Sequence, residues 1–332
     1  MLCGSIHAQQ PDPYTEAKQA FTAKDYRRSA ELFAAVAAAD THAPPDHPDA
    51  LLFQARSLIN LNQLPEISAA EPVLRRYLLT DTQSAEALYL LGYVLERENR
   101  PRDSLPLFTQ AAAIAPPTPN DLKLVALDYV LLEDYADAVH WLERSIRGDP
   151  TDPEAWYFLG RSHMQQGNFA EAERNFRRAL ALNPVDSKAL DNLGLSLEAQ
   201  NRADEALPAY TQAIATQAKA AHPSEQPLLN LGTLLNGKRR SSEAIQPLTD
   251  AVALSPGCSR CHEELARAYL GSGAEVLAIH EMERSIAIDP KNPRLHFQLG
   301  QMYRHHGQIS ESDRELKISA SLYGSHSTPP ER

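Results

Sequence analysis

The chain has 332 residues, of which 43% are hydrophobic, 7% aromatic and 23% charged, the make-up of a folded globular protein. That length exceeds one ordinary hydrophobic core and implies either two or three domains or one repeat array. The formal net charge of -11 removes the basic footprint of a nucleic-acid binder, and no run of about twenty apolar residues is present to span a bilayer.

In chain order, residues 1–9 come first. Met1-Leu2-Cys3-Gly4-Ser5-Ile6-His7-Ala8 resembles the last piece of a secretory signal with cleavage after Ala8, or else it is an ordinary frayed terminus. The first reading places the protein outside the cytoplasm, in a periplasm or beyond; the second places it in the cytoplasm. Leu2 is a poor residue before a lipidated Cys3, which argues against a lipid anchor. Residues 10–84 are expected to form two divergent helical hairpins starting near 10 and 48, joined by the proline-rich linker Thr41 to Pro48. In the second of these, Asn60 to Glu66 predicts a longer turn, and Pro65 and Pro72 predict an interrupted second helix.

From residue 85 the chain is periodic. The small residues Gly92, Ala126, Gly160, Gly194, Gly232, Ala266 and Gly300 follow one another at spacings of 34, 34, 34, 38, 34 and 34. Pro116, Pro150, Pro184, Pro256 and Pro290 keep the same register, with one rung missing at Ala218. An insertion around Ala221-His222-Pro223-Ser224 accounts for the step of 38. Seven units are therefore expected over 85–326, starting near 85, 119, 153, 187, 225, 259 and 293, with a disordered tail over 327–332. Asp152-Pro153 and Asn292-Pro293 have the form of an N-cap followed by Pro in the first turn. Gly167 and Gly307 fall in the turns within hairpins, where a left-handed backbone is needed. Lys238-Arg239-Arg240 falls at such a turn and is expected to be a solvated one. The last helix, Ile309 to Tyr323, has small residues Ser312 and Ser319 among Glu311, Asp313, Arg314, Glu315 and Lys317, a polar face that would cap the array.

The cleanest unit, 153–186, carries Trp156, Leu159, Gly160, His163, Ala172, Phe176, Ala179 and Pro184. It resembles the tetratricopeptide repeat family, whose 34-residue pattern is W-x2-L-G-x2-Y, then A-x3-F-x2-A, then P; only the Tyr is replaced, by His163. The next unit keeps Leu190, Leu193, Gly194, Leu197, Ala206, Tyr210 and Ala213. The resemblance covers residues 10 to about 326. It implies an all-α, right-handed superhelical solenoid of about nine antiparallel hairpins that binds a peptide or partner helix in a concave groove, as a scaffold or adaptor and not as an enzyme. In similar proteins, groove residues recur at the second, fifth, sixth, ninth and twelfth positions of each repeat. Here these include Tyr89, Tyr93, Tyr157, Arg161, Lys188, Asn192, Asn230, Arg267, Arg294, Phe297 and Arg304. Asn192 and Asn230 share the sixth position, where family members use Asn to grip a peptide backbone; both being polar residues on a solvated face is the alternative. Arg267, Arg294 and Arg304 would make that end of the groove basic, unless they pair with Glu263 and Glu264. The tyrosines are either groove anchors or packed between hairpins.

Cys258-Ser259-Arg260-Cys261-His262 has the C-x-x-C-H form of a c-type haem attachment site. It lies at a junction between repeats, and His262 takes the position of Trp156, which faces a packed interface. Four readings stand: a structural role, a disulfide or redox pair in an oxidising compartment, covalent haem on an exported protein, and a metal site. A metal site needs another ligand, and His296 holds the same position one repeat later, with His280, His305 and His306 at the same end. No phosphate-cradling G-x-x-x-x-G-K-[ST] loop, G-x-S-x-G elbow or H-E-x-x-H helix is present, so no catalytic residue, resident cofactor or metal is expected outside the haem alternative.

Overall fold

A computed structural model of the chain describes residues 12–40, 46–218 and 220–325; the segment 1–9, part of the Thr41 to Pro48 linker and the tail 327–332 lie outside the described residues. Among the described residues there are eighteen α-helices and no strand. They alternate as first and second helices of hairpins: α1 (Pro13–Thr22), α2 (Tyr26–Ala39), α3 (Ala50–Asn60), α4 (Leu64–Leu78), α5 (Ala85–Arg97), α6 (Pro101–Ile114), α7 (Pro119–Leu131), α8 (Tyr135–Gly148) and α9 (Pro153–Gln165). Then follow α10 (Phe169–Leu182), α11 (Ser187–Ala199), α12 (Ala203–Gln217), α13 (Gln226–Gly237), α14 (Ser241–Leu254), α15 (Ser259–Gly271), α16 (Glu275–Ile288), α17 (Pro293–His305) and α18 (Ile309–Ser325). The chain divides into two compact units, one up to Gln166 and one from Gly167.

Local sequence sets the helix ends. Asp152 and Asn292 cap α9 and α17 with Pro in the first turn, as their sequences predict. Ser84 and Asp186 cap α5 and α11, and Thr118 with Asp121 closes a reciprocal capping box on α7. Within the hairpins the backbone turns through a left-handed residue at Asn99, Glu133, Gly167, Asn201, Arg239, Gly273 and Gly307. The next N–H then reaches back to a carbonyl of the preceding helix, as from Arg100 to Leu95 (2.9 Å) and from Gln308 to Tyr303 (2.8 Å). Gly167 and Gly307 adopt φ of 78° and 84°, as expected, but the rule does not require glycine, since Arg239 adopts φ 59°.

Small residues on first helices receive large ones from second helices. A Cβ on Gly92 would lie 2.7 Å from the Phe108 ring, and one on Gly194 would lie 2.5 Å from the Tyr210 ring. Gly232 and Gly300 receive leucines instead, Leu248 and Leu316, and where alanine replaces the glycine the partner is likewise not aromatic: Ala126 packs with Leu142, and Ala266 packs with Met282. A small residue on the first helix thus admits a large side chain from the second in each of these pairs.

Three expectations are corrected. The turn in the second hairpin is the usual short one, because α3 ends at Asn60 and α4 begins at Leu64. Pro65 sits in the first turn of α4, where its missing N–H has no intrahelical partner to lose. Pro72 lies inside a continuous α4, exposed, so water can reach the carbonyl that it leaves unbonded. The insertion before α13 is pinned by buried Gln217, whose amide donates to the Ser224 carbonyl (2.6 Å) and accepts its N–H (3.0 Å). In α18, Glu315 is buried, unlike its charged neighbours. No described helix is long and apolar enough to cross a membrane.

Candidate functional site: two grooves and a cysteine pair

In the N-terminal unit, α3, α5, α7 and α9 border a cavity of about 940 Å³. Tyr89, Tyr93 and Phe158 supply its aromatic wall. Both tyrosines are half-buried and internally bonded: the Tyr89 hydroxyl donates to the Ala115 carbonyl (3.2 Å), and the Arg97 guanidinium donates to the Tyr93 hydroxyl (2.6 Å). Burial pushes the Tyr89 phenol above its ordinary pKa. Lys123, which lines the cavity with Glu154, bridges Asp152 and Glu154 at 2.8 Å each. Tyr157 and Arg161 do not line the cavity; the Arg161 guanidinium lies 5.9 Å from the Tyr157 ring centre. Nearby, buried Asp128 accepts from the Ser104 hydroxyl through one oxygen, while Oδ1 has no hydrogen-bond partner. Desolvation, with Glu96 close by, pushes its pKa up to about 7.

The C-terminal unit holds a second cavity, of about 690 Å³, beside α15, α16 and α17. Leu270, Met282, Phe297 and Met302 form its apolar part, with Arg267, Arg304, Glu275 and His305 around them. Phe297 is 48% exposed. The basic end expected from the arginines is largely neutralised. Arg294 pairs with buried Glu263 (2.7 Å), and Arg267 lies 3.2 Å from Glu264. Arg304 is exposed and has no ion pair among the described residues. The asparagine ladder is not formed. Asn230 is buried, donating to Asp191 (2.9 Å) and accepting from Gln226 (3.0 Å), while the Asn192 amide donates to the Lys188 carbonyl of its own helix (2.8 Å). Lys188 itself is exposed.

Cys258 and Cys261 are joined as a disulfide at the start of α15. His262 is buried, with Nδ1 2.6 Å from Glu281 and Nε2 3.2 Å from the Pro256 carbonyl. As arranged, these residues do not fit a haem: the two sulfurs are bonded to each other, and both ring nitrogens of the would-be axial ligand are engaged. Trp156 explains the arrangement, since its indole N–H donates to the Pro150 carbonyl at 3.0 Å. The imidazole of His262 makes the same reach, and that of His296 reaches the Pro290 carbonyl at 3.0 Å. Among the described residues no group of three or more His, Cys, Asp or Glu is placed to hold a metal ion.

A family model described as tetratricopeptide repeat matches residues 14–66, 66–119 and 159–223, and a second of that description matches 281–314. The chain belongs to the tetratricopeptide repeat family. The model of the anaphase-promoting complex subunit 3 also matches this tetratricopeptide repeat array, over 102–179. Similar proteins include tetratricopeptide repeat protein 6 of Homo sapiens, 24% identical over 210 residues (62% of this chain, 39% of that protein). Another is the cytochrome c-type biogenesis protein CycH of Pseudomonas aeruginosa, 31% identical over 182 residues (52% of this chain, 41% of that protein). The chain thus spans about two fifths of the length of these relatives. In fold it resembles the Cut9-Hcn1 hetero-tetramer structure (TM-score 0.58, 18% identity, 92% of this chain and 55% of that one). It also resembles the type IV pilus biogenesis factor PilW (TM-score 0.55, 20% identity, 64% and 95%).

Within the tetratricopeptide repeats, the family positions locate Tyr89 and Tyr93 in one cavity and Arg267, Phe297 and Arg304 in the other. The same positions include Leu270, the twelfth of its repeat, but they miss Met282 and Met302. Met282 is on a second helix, which a rule confined to first helices does not see, and Met302 is at a packing position that reaches the cavity floor because the methionine is long.

Proposed function

We propose that this chain is a non-enzymatic adaptor that holds a partner polypeptide against its first helices. Tetratricopeptide repeat arrays support protein–protein interaction in general. The observation that carries the reading for this chain is the C-terminal cavity, where Phe297 stands 48% exposed beside Leu270, Met282 and Met302. A large aromatic left in water beside aliphatic side chains gains on burial by a partner, roughly 2 kcal/mol for one fully covered side chain. Arg304 at the rim, with no ion pair among the described residues, suits a carboxylate on the bound segment. Haem attachment is left out of this reading because of the engaged state of Cys258, Cys261 and His262.

The test is selection from a displayed peptide library against the full chain, followed by affinity measurement with Phe297→Glu and Met302→Glu. The reading predicts enriched apolar–acidic peptides and at least a tenfold loss of affinity in each variant. Peptides that bind both variants as tightly as the parent would refute this cavity as the site.

A further inference from the structure

The cysteine pair has features that a structural staple does not need. Cys258 is the N-cap of α15, and its Sγ accepts the Cys261 N–H at 3.1 Å. In α9 and α11 that place is held by the carboxylates of Asp152 and Asp186, each accepting two backbone N–H groups. The repeat therefore presents its N-cap donors to an anion here, and in this repeat the atom in that place is sulfur. Arg260, two residues on, is exposed and has no ion pair among the described residues.

Access to the two sulfurs is unequal. Cys261 is wholly buried in the cluster of Leu228, Leu248, Ala251 and Leu265, while Cys258 is only partly buried at its edge. The residue before Cys258 is Gly257, exposed, where an added Cβ would meet nothing within 4 Å. A partner backbone has room to approach Cys258 from that side. One accessible sulfur at a helix N-terminus, backed by a buried one three residues on, is the arrangement that thiol–disulfide exchange requires.

We propose that Cys258 and Cys261 are a redox-active pair that exchanges two electrons with a dithiol on another protein, Cys258 being the sulfur at which exchange occurs. From the oxidised state, a partner thiolate attacks Cys258 Sγ. A mixed disulfide forms, the Cys258–Cys261 bond breaks, and Cys261 leaves as a thiolate that takes a proton. The second partner thiol then loses its proton and attacks the partner's first sulfur in the mixed disulfide, releasing Cys258 as a thiolate held by the α15 N-terminus. The partner leaves as a disulfide, oxidised by two electrons, and the pair is reduced by two. This inference is independent of the peptide groove, and failure of peptide binding would leave it standing.

The test is alkylation of the reduced full chain by iodoacetamide from about pH 5 to 9, with the modified sites read by mass spectrometry. The expected result is at least tenfold faster modification of Cys258 than of Cys261, with half-maximal rate below about pH 7.5, the range of thiols activated at helix N-termini. A half-point near about pH 8.5, as for an ordinary thiol, or equal rates at the two sites, would overturn the proposal and leave a staple. A second measurement uses Cys261→Ser and Cys258→Ser, each with Cys3→Ser, incubated with glutathione disulfide. Mixed disulfide should accumulate at Cys258 in the first and not at Cys261 in the second. Its absence at Cys258 would equally overturn the proposal.

Discussion

His296 Nδ1 lies 2.7 Å from Glu315 Oε2, and its Nε2 lies 3.0 Å from the Pro290 carbonyl oxygen, so both nitrogens of a buried ring face acceptors. A neutral imidazole carries one N–H and satisfies one of them; the doubly protonated ring satisfies both. Glu315→Ala is expected to destabilise the C-terminal unit by about 2–4 kcal/mol, because a buried donor loses its partner. His296→Trp restores the residue found at Trp156 but strands Glu315, so His296→Trp with Glu315→Leu should be more stable than His296→Trp alone. Urea unfolding of the full chain measures both; equal midpoints for the single and double variants would refute the coupling.

Asp128 gives a stability that depends on pH. Its pKa is about 7 in the fold against 3.8 for an ordinary aspartate, so the native state holds the proton longer than the unfolded one. Stability therefore falls as pH rises from about 4 to 7, and the deficit persists above that. Asp128→Asn should raise the melting temperature at pH 8, by an amount on the order of 2 kcal/mol of stability, and change it little near pH 4. An equal effect at both pH values would show that the carboxyl charge is not the cause.

Gly307 holds a left-handed backbone (φ 84°) at the turn where Asn99 and Asn201 do the same. Gly307→Ala is expected to cost about 1 kcal/mol and Gly307→Asn less, because asparagine tolerates this conformation better than alanine. Calorimetry of the two variants checks the order.

Gly194→Ala places a methyl where a Cβ would stand 2.5 Å from the Tyr210 ring. The expected cost is about 1–3 kcal/mol of overpacking. Adding Tyr210→Leu should recover part of it, since Ala126 already packs with Leu142 in another repeat. Thermal unfolding of the single and double variants decides; a double variant less stable than either single would rule out matched packing as the cause.

The sequence by itself determined the helices, their 34-residue register and the matched packing positions, because one hairpin cannot bury its apolar face and every unit must repeat the same solution. It also located the cysteine pair and the histidine at the tryptophan position. Tertiary structure alone decided which polar residues remain available. Asn230 and Arg294 stand at groove positions in the linear pattern, yet Asp191 and Glu263 satisfy them, and those partners lie 39 and 31 residues away in sequence. Partner choice between neighbouring repeats depends on which side chains stacking brings within hydrogen-bond reach, and periodicity carries no record of it. Second-helix residues such as Met282 reach a cavity lined mainly by first helices for the same reason: side-chain length across a packed interface sets the floor. The C-x-x-C-H spacing likewise does not reveal that His262 fills a packing position whose carbonyl and carboxylate partners are supplied by the fold.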